Sequence, residues 1–382
     1  MKSKVIVLNI DEYDYKKIKQ KLDYGLKLLG GIENILKNRK RILLKPNFLK
    51  PSKPESAVIT HPDVVRAFAE ILSENDFSIL LGDSPAAVKS EKVIKKSGYK
   101  DLIKDYNIKL ADFENYKTVS FNEGILARQL NIAEAVDQVD SIVSISKMKT
   151  HAFTRITGAV KNMFGIITGL FKAEYHVKMP DIYDFSKVLI DINRYLKPDL
   201  HIMDGILAME GNGPGSGDPV KMDVVLLSKD PVALDSVFCK LINLKPDIVP
   251  TNFLGQKYGL GFYEYDRIEI LGDFSKSLIN KNFNVVRRKP ERLISAKSFP
   301  PWLKNLISPK PVIDYDLCIN CGECVEQCPI EPKALDWHDN NRKNKPTYNY
   351  KDCIRCYCCQ EICPQKAISV KVPLLGKLIY RR

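Results

Sequence analysis

The chain has 382 residues, 45% of them hydrophobic, and a formal charge of +13, enough length and apolar content for two or three globular domains with a substantial core. Its longest apolar runs are strand-length, and the opening MKSKVIVLNIDEYDY reaches Asp11 and Glu12 before a signal-type core could form, so a cytoplasmic protein with no transmembrane segment is expected. Nine of its ten cysteines fall between Cys318 and Cys363, a clustering that speaks for metal in a reducing compartment rather than a secreted disulfide scaffold.

From residue 4 to about residue 272 strand-like and helix-like segments alternate. VIVLNI precedes a helix around Tyr15 to Leu29; RILLKPNF precedes the helix of HPDVVRAFAEILSEND; SILLGDSP precedes a helix around Val93 to Tyr106. DSIVSIS is followed by helices around Ile156–Gly169 and Ile182–Leu196, then by the strands LHIMDG and DVVLLS, the helix PVALDSVFCKLI and the strand RIEILGD. Short apolar runs alternating with helices predict an α/β fold, a mainly parallel sheet covered by helices on both faces. Cys239, on the apolar pattern of LDSVFCKLINL, reads as a small core residue.

Ligands in such folds bind beyond the carboxyl ends of the strands, and polar groups gather there. Lys45-Pro46-Asn47, Gly82-Asp83-Ser84 and Asp204-Gly205 each close a strand pattern, and Lys147, Lys149, His151 and Arg155 follow DSIVSIS ahead of a helix with Lys161 and Asn162. Cations at a helix N-terminus make an anion site in outline, against the plainer reading of a solvated basic loop. His151, Lys149 and Lys147 are the candidate catalytic, proton-bearing residues. Asn47, Asp83, Arg155, Lys161, Asn162, Asp204, Glu210 and Gly213 are the candidate substrate-binding residues. The loop EGNGPGSGDP fits neither G-x-G-x-x-G nor the P-loop; its backbone could approach a ligand, or it could be a mobile turn. Asp235 reads as support for a helix start or the sheet edge.

Residues 281–310 hold eight Lys/Arg against one acid and several prolines. They read as a basic linker, with Trp302, Leu303, Leu306 and Ile307 as a short apolar face packed between domains or, alternatively, docked on a membrane surface or a partner. About half the excess charge lies in this stretch, and no nucleic-acid-binding signature occurs elsewhere, so no nucleic acid is expected as a partner. The expected domains are 1–280, the linker 281–310, a cysteine-rich domain 311–372 and a basic tail 373–382.

CINCGECVEQCP and CIRCYCCQEICP each give a C-x2-C-x2-C-x3-C-P run, repeated at an offset of thirty-five residues, as a duplicated half-domain would be. Three thiolates two residues apart can wrap a cubane, with a fourth farther along completing a cluster; zinc would need two C-x2-C pairs per site. The runs resemble the bacterial two-cluster ferredoxins, an α+β fold with two 4Fe–4S clusters. The resemblance implies crossed ligation: Cys318, Cys321, Cys324 and Cys363 for the first cluster, and Cys353, Cys356, Cys359 and Cys328 for the second. Cys358 departs from the pattern, standing where the first half has Glu323; it reads as a spectator thiol or a redox group.

The stretches KPNF, THPDVVRAFAEIL, GDSP, SKMKTHAFTRITGAVKNMFG, MDGILAMEGNGPGSGDP and DPVALDSV resemble the family called domain of unknown function 362, often fused to such ferredoxin modules. The combined expectation is an iron–sulfur oxidoreductase that passes low-potential electrons, exchanged with a donor or acceptor protein, to an anionic substrate or organic cofactor in the N-terminal domain. The alternative is a non-catalytic electron-transfer or adaptor protein whose N-terminal domain docks a redox partner.

Overall fold

The apolar runs of the first 272 residues line up as one sheet in a computed structural model that describes residues 2–85, 88–169, 171–290, 305–337 and 342–379. The strands of this part are β1 (Ser3–Asn9), β2 (Arg41–Lys45), β3 (Ser78–Leu81), β4 (Lys109–Leu110), β5 (Tyr116–Ser120), β6 (Gln129–Ala133), β7 (Ser141–His151), β8 (Arg155–Thr157), β9 (Leu200–Glu210), β10 (Asp218–Ser228) and β11 (Ile268–Gly272). The sheet order is β11-β1-β10-β9-β7-β2-β3-β4, with β8 paired to β7 and β5–β6 a separate hairpin. All pairs along that order are parallel except those of β10, which runs against both β9 and β1. The α/β expectation holds.

Helices cover both faces because their apolar stripes need burial. Pro62–Glu74 presents Val64, Val65, Phe68 and Leu72 to one core, while Ile182–Leu196 and Pro231–Leu241 bury theirs on the other face. Asp14, Asp181 and Asp230 each start a helix by accepting backbone N–H bonds of its first turn. The helix expected around Val93–Tyr106 is two, Ser90–Lys96 and Tyr99–Asp105, divided at Gly98 with φ +77. The helix expected around Ile156–Gly169 begins as β8 and continues as the short helix Ala159–Asn162 and a 3-10 turn, Met163–Ile166.

The C-terminal module has β12 (Lys310–Ile313), β13 (Leu335–Asp336), β14 (Thr347–Tyr348) and β15 (Ile368–Lys371), with β12 paired to β15, β13 to β14, and short helices at Glu323–Glu326 and Cys358–Ile362. Its small core combines Ile313, Val325, Leu335 and Ile368 with several cysteines, the α+β arrangement expected. The stretch expected to be a linker starts inside the α/β domain: Phe283 is buried in its second core, and Arg287 donates to the Ile242 carbonyl at 3.1 Å. Trp302 and Leu303 lie outside the described residues. Among the described residues no helix is long and apolar enough to cross a membrane.

Candidate functional site

The basic run after DSIVSIS does not leave the sheet. β7 continues through it to His151, and all eleven of its residues are buried, which corrects the expectation of a strand end at Lys147. Alternation along a strand places Lys147, Lys149 and His151 on the face of Val143 and Ile145, so each cation is drawn under a lid of protein. Lys147 Nζ is 2.7 Å from Asp204 Oδ2, and Tyr13 and the His61 N–H complete that carboxylate's bonds at 2.9 Å each. Lys149 donates to Asn47 Oδ1 at 2.8 Å and to the Val58 carbonyl at 2.7 Å. Burial lowers both lysines; Asp204 pulls Lys147 back up, while for Lys149 the repulsion of Lys161 adds to the fall. β9 likewise runs past Asp204 and Gly205 to Glu210.

Beyond the ends of β2 and β3 lies a cavity of about 670 Å³, within the range of small-molecule sites. Of the expected substrate-binding residues, Asn47, Asp83, Lys161 and Asn162 line it. Asp83 forms a buried pair with Lys45 at 2.8 Å and accepts the Phe48 N–H at 2.7 Å. Gly165 has to be glycine here, because a Cβ would collide with both members of that pair. Asn162 bridges Lys45 O at 3.2 Å and Ser144 Oγ at 2.9 Å. Asp235 supports this corner as the cap of helix Ala159–Asn162, accepting Ala159 N–H at 2.6 Å and Val160 N–H at 3.2 Å; burial pushes its carboxyl up to about 7 although those amides pull the other way.

Lys161 has no hydrogen bond or contact ion pair among the described residues; its ammonium lies 5.8 Å from the Phe164 ring centre. Burial lowers its pKa, and Glu361 is the strongest opposing influence. The cavity also takes in Lys172, His176 and Thr157, which sequence reasoning passed over. Their signal was weak: Lys172 and His176 lie between the helix patterns around Ile156–Gly169 and Ile182–Leu196, in a stretch without a motif. A Lys89–Glu114 pair at 2.6 Å stands at the cavity's wall.

The fourth side is the cysteine-rich module, which contributes Gln327, Cys358, Glu361 and Ile362. His151 accepts Phe153 N–H on Nδ1 at 3.0 Å, so its proton belongs on Nε2, which is 3.1 Å from Glu361 Oε1. Burial lowers His151 to about 4. Burial alone would raise Glu361, but His151 and Lys161 outweigh it and hold the carboxyl at about 2. Arg155 donates to the Arg288 carbonyl at 3.2 Å, and Glu210 accepts the Asn284 N–H at 2.7 Å. Neither lines the cavity, nor do Lys147, Lys149, His151, Asp204 or Gly213.

The glycine-rich loop is the seat of the module. Gln360 donates to Asn212 O at 2.7 Å, Ser216 Oγ to Gln360 O at 3.3 Å, Lys366 to Gly217 O at 2.9 Å and Asn212 to Ile368 O at 3.0 Å. A side chain at Gly215 would strike the Glu361 carbonyl oxygen, and one at Gly213 the Thr150 carbonyl. Gly215→Val should therefore loosen the seam at a cost of about 1–3 kcal/mol, typical of overpacking. Limited proteolysis would read this as earlier release of the module, with the α/β domain intact.

Inside the module the eight repeat cysteines surround two spaces. One is lined by Cys318, Cys321, Cys324 and Cys363, the other by Cys328, Cys353, Cys356 and Cys359. Thiols are the donors that iron–sulfur clusters take, so the donor set and its grouping fit such clusters. Among the described residues no three His, Cys, Asp or Glu groups converge as a single ion would require. Cys358 lines the cavity.

A cysteine-rich α+β module seated on a mainly parallel α/β domain defines an iron–sulfur protein of the ferredoxin-fusion class, and its ferredoxin-like part has an electron-transfer role. The chain belongs to the family described as Domain of unknown function (DUF362), matched over residues 42–240, and residues 317–367 match a 4Fe-4S dicluster domain. It is 33% identical over 261 residues to the thylakoid-associated protein sll1697 of Synechocystis sp., covering 68% of this chain and 81% of that one. Among solved structures it is similar to the lactate racemase apoprotein from Thermoanaerobacterium thermosaccharolyticum, with 14% identity and a TM-score of 0.39 over 59% of this chain and 54% of the racemase. A structural-genomics protein from Thermotoga maritima gives 16% identity and a TM-score of 0.33 over 59% of this chain and 57% of that one. The chain thus spans little more than half of each of these two structures.

Proposed function

We propose that this protein is a ferredoxin-coupled oxidoreductase, passing low-potential electrons to an anionic substrate or cofactor bound in the cavity between its two parts. One observation carries the reading: the cavity has cations of the α/β domain on one side and, on the other, Gln327 and Cys358, neighbours of the cluster ligands Cys328, Cys356 and Cys359. Two 4Fe–4S clusters, one on each four-cysteine set, would supply single electrons. Lys161 holds the anion, and Lys172 beside it offsets charge that develops on reduction. Asn47 and Asn162 orient it, and Asp83 with Lys45 fixes the floor. Lys147, Lys149 and His151, first considered as catalytic, act in this reading through position: Lys149 braces Asn47, Lys147 ties β7 to β9, and His151 fastens Glu361.

Electrons enter from a partner protein near Cys321, which is exposed beside Tyr315, Leu317 and Ile319 at 44%, 52% and 60% exposure. The concentration of thiols fits the reducing cytoplasm, and the thylakoid association in the relative's name fits attachment at a membrane face. Mass spectrometry of small molecules released from anaerobically purified protein should reveal a bound anion. Lys161→Met should weaken benzoate or inorganic phosphate, measured by calorimetry, by roughly 1.5–3 kcal/mol, about ten- to a hundredfold and slightly more. Unchanged affinity would remove the site. Cluster reduction by a partner protein with no small molecule ever bound would instead favour the electron-transfer or adaptor reading.

A further inference from the structure

An electron placed in an enclosed site brings charge that burial makes costly, so reduction there needs a proton close at hand. The side chains that anion binding does not fully explain are on the helix Phe171–Lys178. Lys172 and His176 are four residues apart, hence on one helix face, and both line the cavity. Lys172 donates to the Ser84 carbonyl and has no contact ion pair among the described residues. His176 is 6% exposed and stacked on Phe185 at 4.6 Å, and its Nδ1 has no hydrogen-bond partner among the described residues. Packing would not call for an orphan ring nitrogen one turn from an enclosed amine.

We propose that Lys172 is the proton carrier of the cavity: it takes up a solvent proton when an electron reaches the cysteine set next to Cys358, and passes that proton on with the electron to the bound acceptor. His176 is a positioning residue beside it. The proposal deepens the reductase reading and rests on it.

The balance closes with a low-potential one-electron carrier as reductant. For each carrier oxidised, the Lys172 amine binds one solvent proton, and the acceptor then takes one electron and one proton, restoring the amine. Two such rounds convert an acceptor A to AH2.

The groups around Lys172 set the sign of its pH dependence. Asp83 follows β3, Lys45 is on β2, Lys161 on helix Ala159–Asn162, Glu361 on the module and His176 on its own helix. Burial brings Lys172 down to about 7; Asp83 and Glu361 oppose that fall, and Lys45 and Lys161 add to it. Burial holds His176 at about 4, so it is neutral near pH 7. A nearby electron raises the proton affinity of the amine. Below pH about 7 Lys172 is already protonated and the reduction potential is flat; above it each electron draws a proton and the potential falls as pH rises.

The experiment is a redox titration of the cluster-loaded full chain, followed by absorbance and electron paramagnetic resonance, from about pH 6 to about pH 9 with no substrate present. The wild type should show the break near neutrality. Lys172→Met and Lys172→Arg, checked for iron content and circular dichroism, should lose it, the first having no amine and the second a permanent charge. Lys172→Arg keeps the proposal testable should Lys172→Met fail to fold. A wild-type potential that is flat throughout, or a break that survives in a folded variant, overturns the proposal. If the break is lost as expected while benzoate and phosphate fail to bind, Lys172 stands and the anion-site reading falls.

Discussion

Asp204→Ala is expected to cost the α/β domain about 3–5 kcal/mol, the usual penalty for removing one partner of a buried ion pair. Lys147 and Asp204 are both fully buried, and the carboxylate also accepts Tyr13 Oη–H and the His61 N–H. Tyr13 stacks on His61 at 3.6 Å and receives a second hydrogen bond from Lys147 at 3.0 Å. Taking away the carboxylate therefore leaves a buried ammonium without its counter-charge and two further donors without their acceptor. Against a total stability of about 5–15 kcal/mol, the variant should unfold at a much lower denaturant concentration, read by circular dichroism. Adding Lys147→Met should recover part of the loss, because the second change removes the uncompensated charge. A single variant as stable as the wild type would mean that water or another group satisfies Lys147.

Cys363→Ala is expected to lower the iron of anaerobically purified protein from about eight to about four atoms, as loss of one of two cubanes requires. Cys363 lines the same space as Cys318, Cys321 and Cys324, although thirty-nine residues separate it from the last of these. The space lined by Cys328, Cys353, Cys356 and Cys359 should keep its cluster. Cys328→Ala should give the complementary loss. Equal damage to both centres by Cys363→Ala, with the module still folded by circular dichroism, would reject the crossed assignment. Cys363 also has a second duty, since its carbonyl accepts Lys50 Nζ at 3.1 Å; that bond uses the backbone and should survive the substitution.

What the sequence determined about this protein is what short-range chemistry encodes. Strand and helix alternation was legible because apolar runs and amphipathic stripes are local, and Ile182–Leu196 has the limits its pattern suggests. The iron–sulfur module was legible because cluster geometry dictates cysteine spacing. Asp235 reads as support for a helix start or the sheet edge, and it caps Ala159–Asn162. Pairing across the sheet decided the rest. Local pattern ended a strand at Lys147, since lysine in an apolar run looks like an exit to water. Tertiary structure reverses that by bringing Asp204 from β9 to Lys147 and Asn47 and the Val58 carbonyl to Lys149, so that each amino group is hydrogen-bonded in place and β7 can stay buried. The glycine loop reads locally as a ligand approach or a mobile turn; only the arrival of helix Cys358–Ile362, nearly 150 residues later, makes it a docking seat. Lys172 and His176 carry no motif, and they become site residues because chain folding turns their helix face toward a cavity whose other walls include the segments after β2 and β3 and the module. Long-range register and burial, which no local window contains, chose among the many cations this sequence offers.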